Sequence, residues 1–324
     1  MKKIITFLFA LIMGISCMAV TGCGPKADFK IGIVQLVDHV ALDAANKGFR
    51  EELEALLKKE GKTVEFINKS ASGDFGNCTT IANTFVAKKV DLMLAIATPA
   101  AQAAASVTTE IPILFTAVTN PVVAGLTESW DEPKTNVSGT SDLNPVEDQI
   151  DLIRELVPGV KKIAVFYDLD EPNSLYQLEL VEDYCKKLYI TVVKNGIPDI
   201  NDLQQFYNSL DNDVQAIYIP TDNTLANGAD QVHALNKDGK QLPIVCGETG
   251  MNDKCGVATY GIDYYKLGKQ TAKMAFKILI EGADIAKMPV ETAEGEPELS
   301  INQTVADEID FTIPDSVLNK VNQA

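Results

Sequence analysis

Two stretches of the chain return in the same order, and few folds accommodate that. Lys30-Ile31-Gly32-Ile33-Val34 recurs as Lys162-Ile163-Ala164-Val165-Phe166, 132 residues on. Ile111-Pro112-Ile113-Leu114 recurs as Leu242-Pro243-Ile244-Val245, 131 residues on. Between them, Leu94-Ala95-Ile96-Ala97-Thr98 is matched by Ala216-Ile217-Tyr218-Ile219-Pro220-Thr221. Each run is short, apolar on both alternating faces and rich in β-branched residues, which marks a strand covered on both sides. Helical spacing fills the gaps: Leu42, Ala45, Phe49, Leu53 and Leu56 share one side of a segment from Ala41 to Gly61. Further helices are predicted over 77–88 and 178–188, and further strands over 63–67 and 190–193. Strands alternating with helices predict an α/β fold of two Rossmann-like lobes, each with a parallel sheet. A third section follows: an extended run Gly256–Asp263, a helix Tyr264–Ile280, and extended pieces at Leu299–Asn302 and Phe311–Pro314.

The 324 residues begin with MKK and an apolar run from Ile4 to Val20, broken by Gly14 and Ser16. That is too short and interrupted to span a bilayer and reads as a secretory signal. Val20-Thr21-Gly22-Cys23 resembles a bacterial lipobox, so residues 1–22 are expected to leave, Cys23 to carry lipid, and 23–28 to act as a tether. An ordinary signal peptide with an incidental cysteine is the alternative. The formal charge of −17 becomes −19 once Lys2 and Lys3 are removed. Such an acidic chain is a poor partner for nucleic acid or an anionic membrane surface. Attachment through lipid on Cys23, facing outside the cytoplasm, is the expected membrane link. Cys78, Cys185, Cys246 and Cys255 lack CxxC spacing and histidine neighbours, so no metal site and no cofactor is expected. Cys246 and Cys255 flank a loop and are either a disulfide or two buried thiols.

In an open parallel sheet, ligands bind beyond the carboxyl ends of the strands. In the first half these ends carry Gln35-Leu36-Val37-Asp38-His39, then Thr98-Pro99-Ala100-Ala101, then Thr116 to Pro121 with Asn120. In the second half they carry Tyr167 to Ser174 with Asn173, then Thr221-Asp222-Asn223-Thr224, then Gly247-Glu248-Thr249-Gly250. The later loops of the first half are neutral, offering hydroxyls and helix N-termini, which suit anions. Asp222 and Glu248 on the second half suit cations. A zwitterion held between the halves fits both. Threonine and asparagine at such places also serve as ordinary caps, and loop acids are ordinarily solvated.

Enzyme signatures are missing: there is no GxSxG, GxxxxGK[ST], HExxH or GxGxxG after a strand. Only His39 and His233 are present. A His39–Cys78 pair is conceivable, but no orienting partner can be named for it. No catalytic residue is assigned.

The stretches IGIVQLVDHVALDAANKGF, KVDLMLAIATPAAQAA, IPILFTAVTNPVVAGL, NVSGTSD, YIPTDNT and GIDYYKLGKQTAKMA resemble the ABC-transporter substrate-binding lipoproteins of the tryptophan/tyrosine-binding (TrpX-like) family. The likeness runs from about Phe29 towards the C-terminus. It implies a type I periplasmic-binding-protein fold with a hinge of three segments, here 136–142, 257–263 and a stretch near 290–301. Lobe 1 is then expected over 29–138 plus 262–288, and lobe 2 over 139–261 plus 289–324. The resemblance implies an amino-acid ligand, aromatic in character, a permease and ATPase as partners, and a monomeric receptor. Carried over by motif, Thr98, Ala100 and Asn120 meet the ligand carboxylate. Asn173, Asp222 and Glu248, with Thr221 and Asn223 beside them, meet the ammonium. Asp38 and His39 line the mouth. Glu248 stands where family members often show an aspartate. Phe75, Tyr167 and Tyr265 are the aromatic residues considered for stacking on a ligand. A sugar or nucleoside receptor on the same fold, and a surface adhesin or sensor, are the alternative readings.

Overall fold

The computed structural model describes residues 27–321. The leader and Cys23 lie outside the described residues.

The first sheet begins with β1 (Phe29–Gln35), followed by α1 (Val40–Lys59), β2 (Val64–Ser70), α2 (Phe75–Ala87), β3 (Leu92–Ile96), α3 (Thr98–Val107), β4 (Ile113–Thr116) and β5 (Val137–Ser141). The chain crosses to α4 (Val146–Leu156), β6 (Lys162–Asp168), α5 (Pro172–Lys187), β7 (Thr191–Ile197), α6 (Leu203–Asn208), β8 (Ala216–Ile219), α7 (Asn223–Asn227), α8 (Ala229–Asp238), β9 (Ile244–Cys246), α9 (Thr249–Cys255) and β10 (Ala258–Gly261). It returns as α10 (Tyr264–Glu281) and β11 (Glu291–Thr292). A last crossing leads to β12 (Glu298–Ile301), α11 (Gln303–Glu308) and α12 (Asp315–Val321).

The repeat is realised strand for strand. One sheet runs β2-β1-β3-β4-β5-β11 and the other β7-β6-β8-β9-β10-β12. All neighbours are parallel except β12, which runs against β10. The central strands β3, β4, β8 and β9 are buried along their whole length, as continuous apolar runs require. Two lobes joined by three crossings make this a type I periplasmic-binding-protein fold. β5 pairs with β4 and β11 with β5, so the chain leaves the first sheet after Ser141 and after Thr292. The divisions read from the sequence at 138/139 and 288/289 fall a few residues earlier, inside or before those strands. Phe311–Pro314 forms no strand. Helix α5 starts at Pro172 rather than near 178, because proline suits the first turn, where no N–H is needed.

The return to the first lobe after the second crossing is anchored by helix packing. α10 returns to lie along α1, and the two backbones touch where glycines face each other's chain. A Cβ built on Gly48 would lie 2.1 Å from Tyr265 O, and one on Gly268 would lie 2.0 Å from Ala45 O. Backbone atoms cannot yield as a flexible side chain does, so a larger residue must push the helices apart. Gly268→Val is expected to lower the unfolding free energy by about 3 kcal/mol, read by urea denaturation; a loss within error of zero would show that the helices separate freely.

Candidate functional site

Parallel pairing puts the loops after β1, β3 and β4 opposite those after β6, β8 and β9. The lobes touch there: Thr119 Oγ1 lies 3.4 Å from Thr221 Oγ1, and His39 Nε2 lies 3.3 Å from Asn223 Oδ1. The cleft is closed. It holds an inner cavity of about 10 Å³ among His39, Thr119, Asp142, Asn173, Thr221 and Glu248, room for about one water. Beside it, with Asn223 on both, lies an outer chamber of about 640 Å³. Its walls include Leu36, Val37, Phe75 and Pro99 from the first lobe and Glu171, Ile200 and Thr224 from the second.

The first lobe offers a helix N-terminus. Ala97, before α3, has φ 83°, and Ala117, just past β4, has φ 57°. Non-glycine residues rarely hold such angles, and they gather at functional sites. The turn frees the first N–H groups of α3, which have no intrahelical acceptor. Ala100 is buried in that turn, and Thr98 Oγ1 is buried with no hydrogen-bond partner.

The second lobe and the hinge offer carboxylates. Asp142, Glu171, Asp222 and Glu248 are between 1 and 5 % exposed. Asp222 caps α7 by accepting from Leu225 N, and its other oxygen accepts from Asp168 N and Ser174 Oγ, both at 2.7 Å. Glu248 caps α9 by accepting from Gly250 N and Met251 N at 2.5 Å. Asp142, at the first crossing, accepts from Tyr264 OH at 2.8 Å and Thr119 Oγ1 at 3.2 Å. Burial raises the pKa of all four; Asp222 adds to the rise at Glu171, and Glu248 is pushed up to about 7. Among the described residues, neither cavity is lined by lysine or arginine. Buried negative charge without a cationic side chain favours a ligand that brings its own cation.

The structure sorts the sequence-predicted residues. His39, Asn173, Thr221, Asp222, Asn223 and Glu248 line the inner cavity. Thr98 and Ala100 line neither cavity; they are buried at the start of α3, whose Pro99 lines the outer chamber. Asp38 is exposed at the rim, in a groove with Val40 and Lys254. Asn120 turns away, its Oδ1 accepting from Val122 N and Val123 N at 3.1 Å each, while Thr119 takes the cleft position. Of the aromatic residues, Phe75 lines the outer chamber and Tyr167 is buried in the second lobe's core. Tyr265 bonds Glu51 instead. The His39–Cys78 pair is not formed: His39 Nε2 faces Asn223, and burial pushes the Cys78 thiol up to about 11. Cys246 and Cys255 are buried thiols with sulfurs 3.8 Å apart. Glu171, Asp142, Thr119 and Tyr264 were missed. For Glu171 the available signal was its place immediately before Pro172, where a helix begins.

A cleft closed by two α/β lobes around a hinge is the architecture of a solute-binding protein. The chain belongs to the family described as ABC transporter substrate binding protein, whose match spans residues 30–324. This family is non-catalytic and works with an ABC permease and ATPase. The chain is 38% identical over 325 residues to a tyrosine-binding protein of Clostridioides difficile (strain R20291), covering 96% of this chain and 93% of that one. It is similar to an ABC domain from Streptococcus pneumoniae in complex with L-Trp, at TM-score 0.83 and 36% identity, covering 90% of this chain and 97% of that one. A ligand-free, open substrate-binding protein with adhesive properties from Clostridium difficile gives TM-score 0.68 at 38% identity, covering 89% of this chain and 96% of that one. At nearly equal identity, the better superposition is on the ligand-bound form, in keeping with the closed cleft here.

The buried acids set a pH dependence. A carboxyl whose folded pKa is raised favours the folded state when protonated, and that stability is lost as pH rises from its ordinary value through the folded one. For Glu248 the window runs from 4.5 to about 7, worth about 3 kcal/mol. The ligand-free protein is therefore expected to melt higher at pH 5 than at pH 8, with Glu248→Gln flattening the slope. A melting temperature that rises across that window would contradict it.

Proposed function

We propose that this protein is the lipid-anchored receptor of an ABC importer for an aromatic amino acid. Lipid on Cys23 tethers it outside the cytoplasm, and the closed form is what its permease reads. The observation that carries the reading is the opposition across one cleft: a free helix N-terminus and hydroxyls on one side, buried carboxylates with no basic side chain on the other. An α-carboxylate suits the start of α3, at Thr98 and Ala100. An α-ammonium suits the side of Asn173, Asp222 and Glu248. The outer chamber has the size for an aromatic side chain, with Leu36, Val37, Phe75, Pro99 and Ile200 among walls that also carry Asp74, Asp168, Asp170 and Asp199. The relatives named for tyrosine and crystallised with L-Trp support the same class. An inner cavity of about 10 Å³ is too small for these head groups, so loading requires the lobes to part about the three crossings and close again.

Calorimetric titration of the protein without its leader against the twenty amino acids, a hexose and a nucleoside tests this. Tryptophan, tyrosine or phenylalanine is expected to bind best, and Phe75→Ala to weaken that binding by about tenfold. Binding of the hexose or nucleoside with no response to any amino acid would overturn the reading.

A further inference from the structure

Glu171 is surrounded by donors. Its oxygens accept from Asn173 Nδ2 at 2.8 Å, Asn223 Nδ2 at 2.6 Å, Asn223 N at 3.0 and 3.1 Å, Thr224 N at 3.1 Å and Thr224 Oγ1 at 3.4 Å. A carboxylate in such a shell decides which way the neighbouring amides are turned. Asn223 gives its NH₂ to Glu171, so its carbonyl Oδ1 faces His39. That oxygen only accepts, so His39 Nε2 at 3.3 Å is the nitrogen that carries the proton. Burial lowers the pKa of His39 and so favours the neutral ring; with the proton on Nε2, Nδ1 is a bare acceptor. Asn173 is fixed the same way. Its NH₂ is shared between Glu171 and Thr221 O at 2.8 Å, leaving Oδ1 free.

The two leftover acceptors, His39 Nδ1 and Asn173 Oδ1, are both buried without a partner. Their side chains line the inner cavity, one from each lobe. An unmet buried acceptor is costly, and two of fixed polarity call for N–H donors. Asp222 and Glu248 are already engaged with the backbone at the starts of α7 and α9.

We propose that the ligand's primary ammonium is held by the neutral acceptors His39 Nδ1 and Asn173 Oδ1, and that Glu171 is the positioning residue that turns both toward it. The buried carboxylates supply the favourable field from behind this contact. Because the acceptors come from opposite lobes, the ammonium bridges them and favours the closed state. The identity of the ligand rests on the amino-acid reading above; the orientation of His39 and Asn173 does not.

Two measurements test it. In the first, L-tryptophan and L-tyrosine are each titrated beside the acid that lacks only the amino group. His39→Leu and Asn173→Leu are expected to weaken amino-acid binding by about 10- to 100-fold and to leave the des-amino acids nearly unchanged. Equal losses for both ligands would overturn the contact. In the second, ¹⁵N NMR of the protein saturated with L-tryptophan, which holds the lobes together, is expected to show His39 protonated on Nε2 and carrying no proton on Nδ1, and Glu171→Gln to disturb that single tautomer. A proton on Nδ1 in the wild type, or no change in the variant, would overturn the positioning role. If the wild type binds neither amino acid, the functional reading fails, and the side-chain amide ¹⁵N resonances of Asn173, which bonds Glu171 within the second lobe, still decide the role of Glu171: no change in them in Glu171→Gln overturns it.

Discussion

Parallel pairing of β1, β3 and β4 in one sheet, and of β6, β8 and β9 in the other, sends every strand-end loop to one edge of its sheet. The loops that line the cleft are collected there by backbone hydrogen bonding. The apolar strands carry no chemistry, and the loops are free to carry it. Because the two sheets share one strand order, their loop-bearing edges can be set face to face by three short crossings. Asp142 sits on the first of these, bonded to Thr119 ahead of it and to Tyr264 beyond the second crossing. The hinge is therefore also a wall of the cleft, and closure and recognition share residues.

Electrostatically the cleft is one-sided. Four carboxyls are buried around it, with backbone N–H groups, hydroxyls and side-chain amides as partners and no cation lining either cavity among the described residues. Burial of charge without a counter-charge costs stability in the empty protein. In the reading proposed above, a cationic ligand group offsets that cost and so couples occupancy to closure. The first lobe contributes through shape more than charge. The positive φ at Ala97 and Ala117 holds the starts of α3 and of the Thr119 loop where a carboxylate can approach main-chain N–H groups.

Much of the fold was legible because strands buried on both faces have an unmistakable composition, and a repeated order of them admits few arrangements. The site was legible at the level of loops and less so at the level of atoms. The run Asp168-Leu169-Asp170-Glu171 places three acids in four positions. Only packing decides that Asp170 faces water while Glu171 turns inward to the first turn of α7. Asn120 and Thr119 differ by one position, and the left-handed turn at Ala117 determines which of them meets the opposite lobe. Phe75 is legible in the sequence only as one of three aromatic candidates, and packing decides that it lines the outer chamber while Tyr167 and Tyr265 are held elsewhere.

The amino-acid sequence by itself determined two α/β lobes, the strands that build them, and the neutral-against-acidic contrast between their loops. These follow from local periodicity and from residue types at strand ends. Tertiary structure decided which acids are buried, which amide oxygens are left unpaired, and that His39 Nδ1 is buried without a partner. Those outcomes depend on donors and acceptors more than 40 residues apart, as with Glu171 and Asn223 or His39 and Asn223. Hydrogen-bond polarity is directional and is passed from group to group, so it exists only once the partners have been brought together.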